Sequence, residues 1–165
     1  MNKWQYFTYK DGVQNDNKNL QTIISSLPKP IVFTNGVFDI LHIGHVKYLY
    51  ESKKFGGSLI VGINSDKSTK LLNKGPQRPI NPHKERAKII SSLKMVDITI
   101  IFDEETPINL IKLIMPQIYT KGEDYNLQTI PFLDVLKQHN IETKFIPLIK
   151  GKSSTNLINK ININL

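Results

Sequence analysis

The chain contains no cysteine, which excludes a disulfide framework, a thiolate zinc site and a cysteine nucleophile. Its longest apolar stretches are about six residues, whereas about 18 are needed to cross a bilayer. The first twenty residues, MNKWQYFTYKDGVQNDNKNL, are too polar to contain the apolar core of a signal peptide. We therefore expect a cytoplasmic protein that does not interact with a membrane.

Negative charge is also scarce, because 22 Lys and Arg face only 14 Asp and Glu, a formal net charge of +8. Such an excess fits either a nucleic-acid surface or a site for small phosphorylated ligands. The lysines are spread along the chain, with no block of like charges and no alternation of basic and aromatic residues. We therefore expect small phosphorylated ligands and no nucleic-acid partner.

Five short apolar stretches alternate with helical patterns after a polar, Asn-rich start. The pattern predicts an α/β fold: a Rossmann-like open parallel five-stranded sheet with helices on both faces. Residues 1–26 are expected to be a loose extension, with a short helix near Asn19–Leu27, and residues 27–165 the domain. Residues 65–82 are expected to form a long functional loop, and Thr106 to cap a helix that begins at Pro107. The predicted strands are PIVFTN, SLIVGIN, DITIIF, QIYTKG and IETKFIPLI.

The segment FTNGVFDILHIGH places two histidines, His42 and His45, just after the first predicted strand and at the start of a helix. Open parallel sheets bind ligands at the carboxyl ends of their strands, and a helix N-terminus favours phosphate. Gly36 and Gly44 allow a ligand to approach the backbone closely. The alternative is that one histidine caps the helix while the other packs.

Two motifs carry a resemblance to a known superfamily. TNGVFDILHIGH resembles the HxGH signature of nucleotidyltransferases, and GKSSTNLINKI resembles their GxSTT segment. The blocks LIVGINSD, RPINPHKERAKII, VDITIIFDEETP and YTKGEDY follow the order seen in bacterial D-glycero-β-D-manno-heptose 1-phosphate adenylyltransferases. The resemblance covers Leu27 to Ile161.

The resemblance implies that AMP is transferred from ATP to heptose 1-phosphate with the help of Mg²⁺, giving ADP-heptose and pyrophosphate for lipopolysaccharide core or surface glycans. It also implies a homodimer. Because many heptose enzymes are fused to a sugar kinase that this length cannot hold, we expect a stand-alone form.

The same resemblance implies roles for individual residues. His42 and His45 would hold the ATP phosphates and stabilise charge at the α-phosphorus, and Lys74 and Arg86 would add catalytic phosphate contacts. Asp39, Arg78 and Asp124 would bind the substrate, with the alternative that Asp39 orients the backbone turn instead, and no residue is assigned to a metal. The implied nucleotide-binding residues are Thr34, Asn35, Gly36, Val37, Phe38, Gly44, Lys121, Gly122, Ser153, Ser154 and Thr155.

Two positions depart from the patterns of related enzymes. Glu123 stands where the family commonly has glycine, and Leu148 stands where glycerol-3-phosphate cytidylyltransferases carry arginine. The second departure argues against CTP, but a cytidylyltransferase for glycerol 3-phosphate or another alcohol phosphate stays open as an alternative. Another is an inactive, nucleic-acid-binding relative, against which the intact histidine pair counts.

Overall fold

The structure is a computed structural model that describes residues 7–8, 14–73, 75 and 77–163. Its six strands form one sheet of order β1-β4-β3-β2-β5-β6, in which every neighbouring pair is parallel. The strands are β1 (Phe7–Thr8), β2 (Ile31–Gly36), β3 (Ser58–Asn64), β4 (Ile98–Phe102), β5 (Ile118–Gly122) and β6 (Glu142–Ile146). The helices are α1 (Gln14–Ser25), α2 (Ile43–Lys53), α3 (Asp66–Leu71), α4 (His83–Ser91), α5 (Ile108–Ile114), α6 (Leu133–Gln138) and α7 (Ser154–Ile163), with a 3-10 helix at Leu127–Thr129.

The predicted α/β fold and its five strands are confirmed, and β1 is an addition at one edge of the sheet. This strand has only two residues, which is too short for a pattern of alternating apolar and polar residues to mark it in the sequence. It pairs with β4 through Phe7 opposite Ile100.

The N-terminal region is less loose than expected. Helix α1 begins before the predicted Asn19, and its Leu20 and Ile24 are almost fully buried in the core with residues of α5. The apolar residues at positions 20, 23, 24 and 27 recur at helical spacing, but the surrounding Asn and Lys residues obscure this pattern. Residues 1–6 and 9–13 lie outside the described part of the chain.

The sheet is covered on both faces, as parallel sheets usually are. Ile31 and Phe33 of β2 face a core shared with α1, α5 and α6, whereas Val32 faces the opposite core with α2 and α4. All seven residues of β3 are buried, which explains its nearly continuous apolar sequence. No helix in the described ranges has the length and hydropathy needed to span a bilayer.

Strand β2 is the topological switch point, because β3 lies on one side of it and β5 on the other. The chain runs from β2 outward through β3 and β4, and then returns to β5. The carboxyl ends of β2 and β5 therefore border a crevice of the kind that binds ligands in open α/β sheets.

Two local predictions need correction. The loop expected over residues 65–82 contains α3, whose N-cap Ser65 accepts a hydrogen bond on Oγ from the backbone N–H of Ser68 (3.1 Å). Helix α5 begins at Ile108 and its N-cap is Pro107, with no side-chain cap bond. The first helical acceptor is the Pro107 carbonyl, which receives the N–H of Ile111 (2.8 Å), so Thr106 lies one residue too early to cap.

Candidate active site

A cavity of about 520 Å³ opens at the carboxyl ends of β2 and β5, between the starts of α2 and α7. Most of the predicted site residues line it. Thr34 and Arg86 lie elsewhere, and Lys74 is outside the described residues. The predicted residues that line the cavity are Asn35, Gly36, Val37, Phe38, Asp39, His42, Gly44, His45, Arg78, Lys121, Gly122, Asp124, Ser153, Ser154 and Thr155.

His42 both caps a helix and faces the cavity. It is the N-cap of α2, and its Nδ1 accepts a hydrogen bond from the backbone N–H of Gly44 (3.1 Å). Burial, and secondarily the charge of Lys152, lower the pKa of His42. A neutral ring whose Nδ1 is an acceptor carries its proton on Nε2, so His42 offers the cavity a neutral N–H donor.

The two histidines form one stacked unit. Their ring centroids are 3.8 Å apart with planes inclined by 22°, and the Phe38 ring packs edge-on against His45 at 5.2 Å. Phe38 has a φ of 48°, a conformation that is strained for a residue with a side chain. A Cβ on Gly44 would lie 2.9 Å from the His42 ring, so only glycine leaves room for this arrangement.

The start of α7 forms the opposite wall. Ser153 Oγ accepts from the N–H of Asn156 (3.1 Å), which is an N-cap bond, and Ser154 Oγ donates to the Ile40 carbonyl (3.3 Å). The second bond ties α7 to the turn that carries the histidines. The positive end of a helix favours phosphate, and Lys152 adds a cation to the same wall.

The segment after β5 lines another side of the cavity. Lys121 Nζ donates to the Asn35 carbonyl (3.4 Å) and lies 4.8 Å from the centre of the Tyr125 ring. A Cβ on Gly122 would lie 2.5 Å from Asp124 Oδ1, so glycine allows the chain to turn tightly here. Burial, and secondarily Asp124, raise the pKa of Tyr125, which keeps the phenol neutral.

Thr34 does not reach the cavity, contrary to its predicted nucleotide-binding role. It is fully buried, its Oγ1 lies 2.6 Å from Tyr48 Oη, and it donates to the Thr120 carbonyl (3.1 Å). Alternation along β2 turns its side chain toward α2, while the next residue, Asn35, lines the cavity. Burial raises the pKa of Tyr48 to about 12.

Arg86 lies behind the cavity rather than in it. Its side chain is fully buried and donates to the carbonyls of Val37 (2.5 Å), Asn64 (2.8 Å) and Asn81 (2.8 Å) and to Asp66 Oδ1 (2.8 Å). The sequence predicts a phosphate contact for this residue, but the guanidinium here joins the ends of β2 and β3 to α3. Residues 86, 87 and 90 form the buried face of α4, which places Arg86 inside.

Asp39 lines the cavity, yet its carboxylate is committed to the protein. It accepts from the N–H groups of Ile80 (2.8 Å) and Asn81 (2.9 Å) and from Arg78 Nε (2.5 Å). Of the two roles expected for Asp39, these contacts favour the structural one over substrate binding, because the carboxylate holds residues 78–81 beside the cavity. Arg78 also lines the cavity, with its Nε paired to Asp39.

Several lining residues are absent from the sequence-based set: Tyr48, Tyr125, Leu148, Ile149 and Lys152. Lys152 directly precedes the hydroxyl residues that open α7, so its position was a usable signal. Leu148 was also marked, because it stands where glycerol-3-phosphate cytidylyltransferases carry arginine, whereas no motif marks Ile149. Glu123, the departure from the glycine pattern, accepts the N–H of Leu148 (3.3 Å) and so joins the end of β5 to this wall.

The carboxylates of the cavity can be compared with the ligands that a metal ion requires. Among the described residues no group of three His, Cys, Asp or Glu is placed to hold an ion. Mg²⁺ commonly binds through substrate phosphates and one or two carboxylates. Asp124, at the cavity wall, is the carboxylate whose position fits that supporting role.

The family model of cytidylyltransferase-like proteins matches residues 33–161. The chain belongs to this family. Relatives of the chain include the bifunctional protein HldE of Campylobacter fetus (49% identical over 81% of this chain) and of Aliarcobacter butzleri (43% over 97%). The chain spans only 28% and 35% of the length of these two relatives.

Solved structures of similar fold extend the comparison. A lipopolysaccharide core biosynthesis protein from Thermoplasma volcanium is 34% identical, with a TM-score of 0.59 over 74% of this chain and 98% of its own. Pantoate-beta-alanine ligase from Francisella tularensis, in complex with an ATP ligand and beta-alanine, has a TM-score of 0.58 over 92% of this chain and 69% of its own. At 19% identity it shows the shared fold alone. The chain is thus a member of a nucleotidyltransferase family.

Proposed function

We propose that this chain is an adenylyltransferase that transfers AMP from ATP to D-glycero-β-D-manno-heptose 1-phosphate, releasing pyrophosphate and ADP-heptose. The observation that carries the proposal is the cavity at the switch point, where a stacked histidine pair, the start of α7 and the two lysines Lys121 and Lys152 meet. The identity to HldE proteins and to a lipopolysaccharide core biosynthesis protein favours a heptose acceptor.

The proposed reaction is an in-line displacement. An oxygen of the acceptor's phosphate forms a bond to the α-phosphorus of ATP, and the bond from that phosphorus to the β-phosphate bridging oxygen breaks. Pyrophosphate leaves with the bonding electron pair. Catalysis of such a step depends on positioning and on stabilising the charge that develops on phosphoryl oxygens.

The cavity supplies the groups that this step needs. Neutral His42 donates from Nε2, and His45 is held against it by stacking and by the ring of Phe38. Lys152 and the backbone N–H groups at the start of α7 bind the departing phosphates. A Mg²⁺ bound with ATP would neutralise further charge on the triphosphate.

Leu148 favours ATP over CTP in this proposal. Its side chain is 42% exposed and lines the cavity, so it presents an apolar contact rather than a hydrogen-bond donor to a base. An adenine ring gains from apolar burial, whereas a cytosine carbonyl left without a donor loses a hydrogen bond. The cytidylyltransferase alternative rests on the family description. Activity assays with different nucleoside triphosphates distinguish it from the adenylyltransferase.

The deciding experiment measures pyrophosphate release by the purified chain with Mg²⁺, heptose 1-phosphate and ATP, CTP, GTP or UTP in turn. We expect release with ATP. Release with CTP and glycerol 3-phosphate instead would favour the alternative. No release with any pair, together with salt-dependent binding of nucleic acid, would favour the inactive relative.

The proposal also includes the homodimer that the resemblance implies and a cytoplasmic location, where ATP is supplied. Light scattering of the purified chain across a concentration series tests the first. A constant monomer mass would contradict it.

A further inference from the structure

Four hydroxyl side chains meet in the core beside the cavity, between α2 and the sheet. Three of them are fully buried, and the fourth, Tyr48, is 8% exposed. Strands β2 and β5 pair with Phe33 opposite Tyr119, which brings the threonine that follows each of these residues to neighbouring positions. We call this set the hydroxyl circuit: Thr34 of β2, Tyr48 and Ser52 of α2, and Thr120 of β5.

The number of protons fixes the direction of each hydrogen bond in the hydroxyl circuit. Thr34 Oγ1 donates to the Thr120 carbonyl (3.1 Å), and Ser52 Oγ donates to the Tyr48 carbonyl (2.9 Å). Each hydroxyl has a single proton to donate, so both oxygens are acceptors in their other contacts. Tyr48 Oη therefore donates to Thr34 Oγ1 (2.6 Å), and Thr120 Oγ1 donates to Ser52 Oγ (3.0 Å). The bonds run from residue to residue in a closed ring.

The hydroxyl circuit determines where α2 lies on the sheet. The buried residues of this helix are Gly44, Tyr48, Leu49 and Ser52, of which only Leu49 has an aliphatic side chain. Apolar attraction is non-directional, so this contact alone leaves the position of the helix along its axis weakly defined. Hydrogen bonds require a narrow range of distances and angles, and a fully satisfied buried network specifies one arrangement.

Every part of the hydroxyl circuit lies next to a residue of the candidate active site. His45 precedes Tyr48 by three positions and so lies on the same face of α2. Asn35 directly follows Thr34, and Lys121 directly follows Thr120; both line the cavity. Lys121 Nζ also donates to the Asn35 carbonyl (3.4 Å). A displacement of α2 along the sheet would therefore change the distance between His45 and the Lys121 side of the cavity.

We propose that Tyr48 and Thr34 are positioning residues for the transfer reaction, because the hydroxyl circuit holds α2 where His45 faces the reacting phosphates. This inference rests on the proposed function. It also explains why Thr34 belongs to the first motif although it does not reach the cavity. A misplacement of about 1 Å can lower the rate of an enzyme about 10²-fold, so a group behind the cavity can affect turnover strongly.

The first test is Tyr48→Phe, which removes the phenolic oxygen and keeps the ring. We expect kcat to fall about 10- to 100-fold. The KM for ATP should stay unchanged, because His45 is proposed to act on charge that develops in the transition state. An unchanged kcat would overturn the proposal, and so would a raised KM for ATP at unchanged kcat.

Tyr50→Phe is the matched control for this variant. Tyr50 belongs to the same helix but is 53% exposed. It lines neither the cavity of the candidate active site nor a second, smaller cavity of about 250 Å³ that adjoins it. Its kcat should equal that of the unaltered chain. Equal losses in the two variants would show that the effect does not come from the hydroxyl circuit.

A second pair of variants separates hydrogen bonding from packing at Thr34. Thr34→Val keeps the shape of the side chain and removes the hydroxyl, so Tyr48 Oη loses its acceptor. It should lower kcat as Tyr48→Phe does. Thr34→Ser keeps the hydroxyl and should restore most of the activity. If the serine variant lost as much activity as the valine variant, the methyl group would be responsible and the proposal would be wrong.

A double-mutant cycle tests whether the hydroxyl circuit acts through His45. In the His45→Ala background the group to be positioned is absent, so adding Tyr48→Phe should lower kcat little further. The same fold reduction with and without His45 would indicate general damage to the site, which would overturn the positioning role.

If the unaltered chain releases no pyrophosphate, the proposed function fails and the position of His45 is examined directly. The ring protons of the histidines are then compared by NMR in the unaltered chain and in Tyr48→Phe. The signals of His45 should shift, whereas those of His139, at the end of α6 and outside both cavities, should not. Unchanged His45 signals would show that the hydroxyl circuit does not position this ring.

Discussion

Two sets of charged residues lie at the same edge of the sheet and differ in what they contact. One is the buried network, defined as the buried Asp39 and Arg86 with their partly exposed partners Arg78 and Asp66. Its ion pairs and hydrogen bonds close within the protein, even though Asp39 and Arg78 also line the first cavity. The other is the cavity set, defined as His42, Lys121, Asp124 and Lys152, whose members line the first cavity. Motif position does not distinguish the sets, because Asp39 and His42 belong to one motif.

The difference is energetic as well as spatial. Removing one partner from a buried ionic network leaves the other charges without compensation, which costs about 3–5 kcal/mol. When a charged side chain that lines the cavity is removed, water can enter the space and solvate the neighbouring charged groups. Substitutions in the buried network should therefore lower stability, and those in the cavity set should lower ligand binding or turnover.

The largest expected effect is that of Arg86→Ala. It should lower the free energy of unfolding by about 3–5 kcal/mol, because Asp66 and three backbone carbonyls lose their donor. Urea denaturation measures this, with Lys88→Ala, an exposed position on the same helix, as control. If the stability of the variant were unchanged and its KM for ATP were raised, Arg86 would contact the nucleotide, as the sequence predicted, and this assignment would be wrong.

His45→Ala should reduce kcat by about 10²–10³-fold, the usual cost of losing one group that stabilises developing charge. The melting temperature of the variant should stay close to that of the unaltered chain. The control is His139→Ala at the end of α6, which lines neither cavity. Activity near that of the unaltered chain would contradict the mechanism proposed for the histidine pair.

Lys152→Gln should raise the KM for ATP up to about tenfold through the loss of one charged phosphate contact. Stability should not change, because the side chain is exposed. Lys150→Gln is matched to it in chemistry and exposure but lies outside both cavities. Equal effects of the two variants would show a general loss of positive charge instead.

The smallest effect concerns the titration of His42. Burial, and secondarily Lys152, lower its pKa from the usual 6.5. Because the folded-state pKa is the lower one, the stability that the neutral ring contributes is present above pH 6.5 and is lost as pH falls through the folded pKa. The unfolding free energy of the unaltered chain should therefore fall relative to His42→Asn on acidification.

The titration of His42 also measures its electrostatic interaction with Lys152. Removing this nearby positive charge in Lys152→Gln should raise the pKa of His42, as followed by NMR of the ring protons. An identical titration in both proteins would show that the two charges do not interact.

The fold could be predicted from sequence because the largely buried strands β2 to β5 are short, mostly apolar stretches that alternate with helical patterns. The cavity-lining part of the motifs could also be predicted, since glycines and histidines cluster at a strand–helix junction. The direction in which Arg86 and Thr34 point could not, because that depends on which face of α4 or β2 is buried. Neither could the second, smaller cavity of about 250 Å³, whose walls come from six separate segments of the chain.

Strand β6 has a consequence for how copies of this chain can associate. It is an edge of the sheet, and its outer residues include Glu142 and Lys144, which form an ion pair with each other. Charged side chains on an edge strand discourage another strand from adding to it. A homodimer built by continuing the sheet across this edge is therefore disfavoured, and association through helix faces would leave the edge exposed to water.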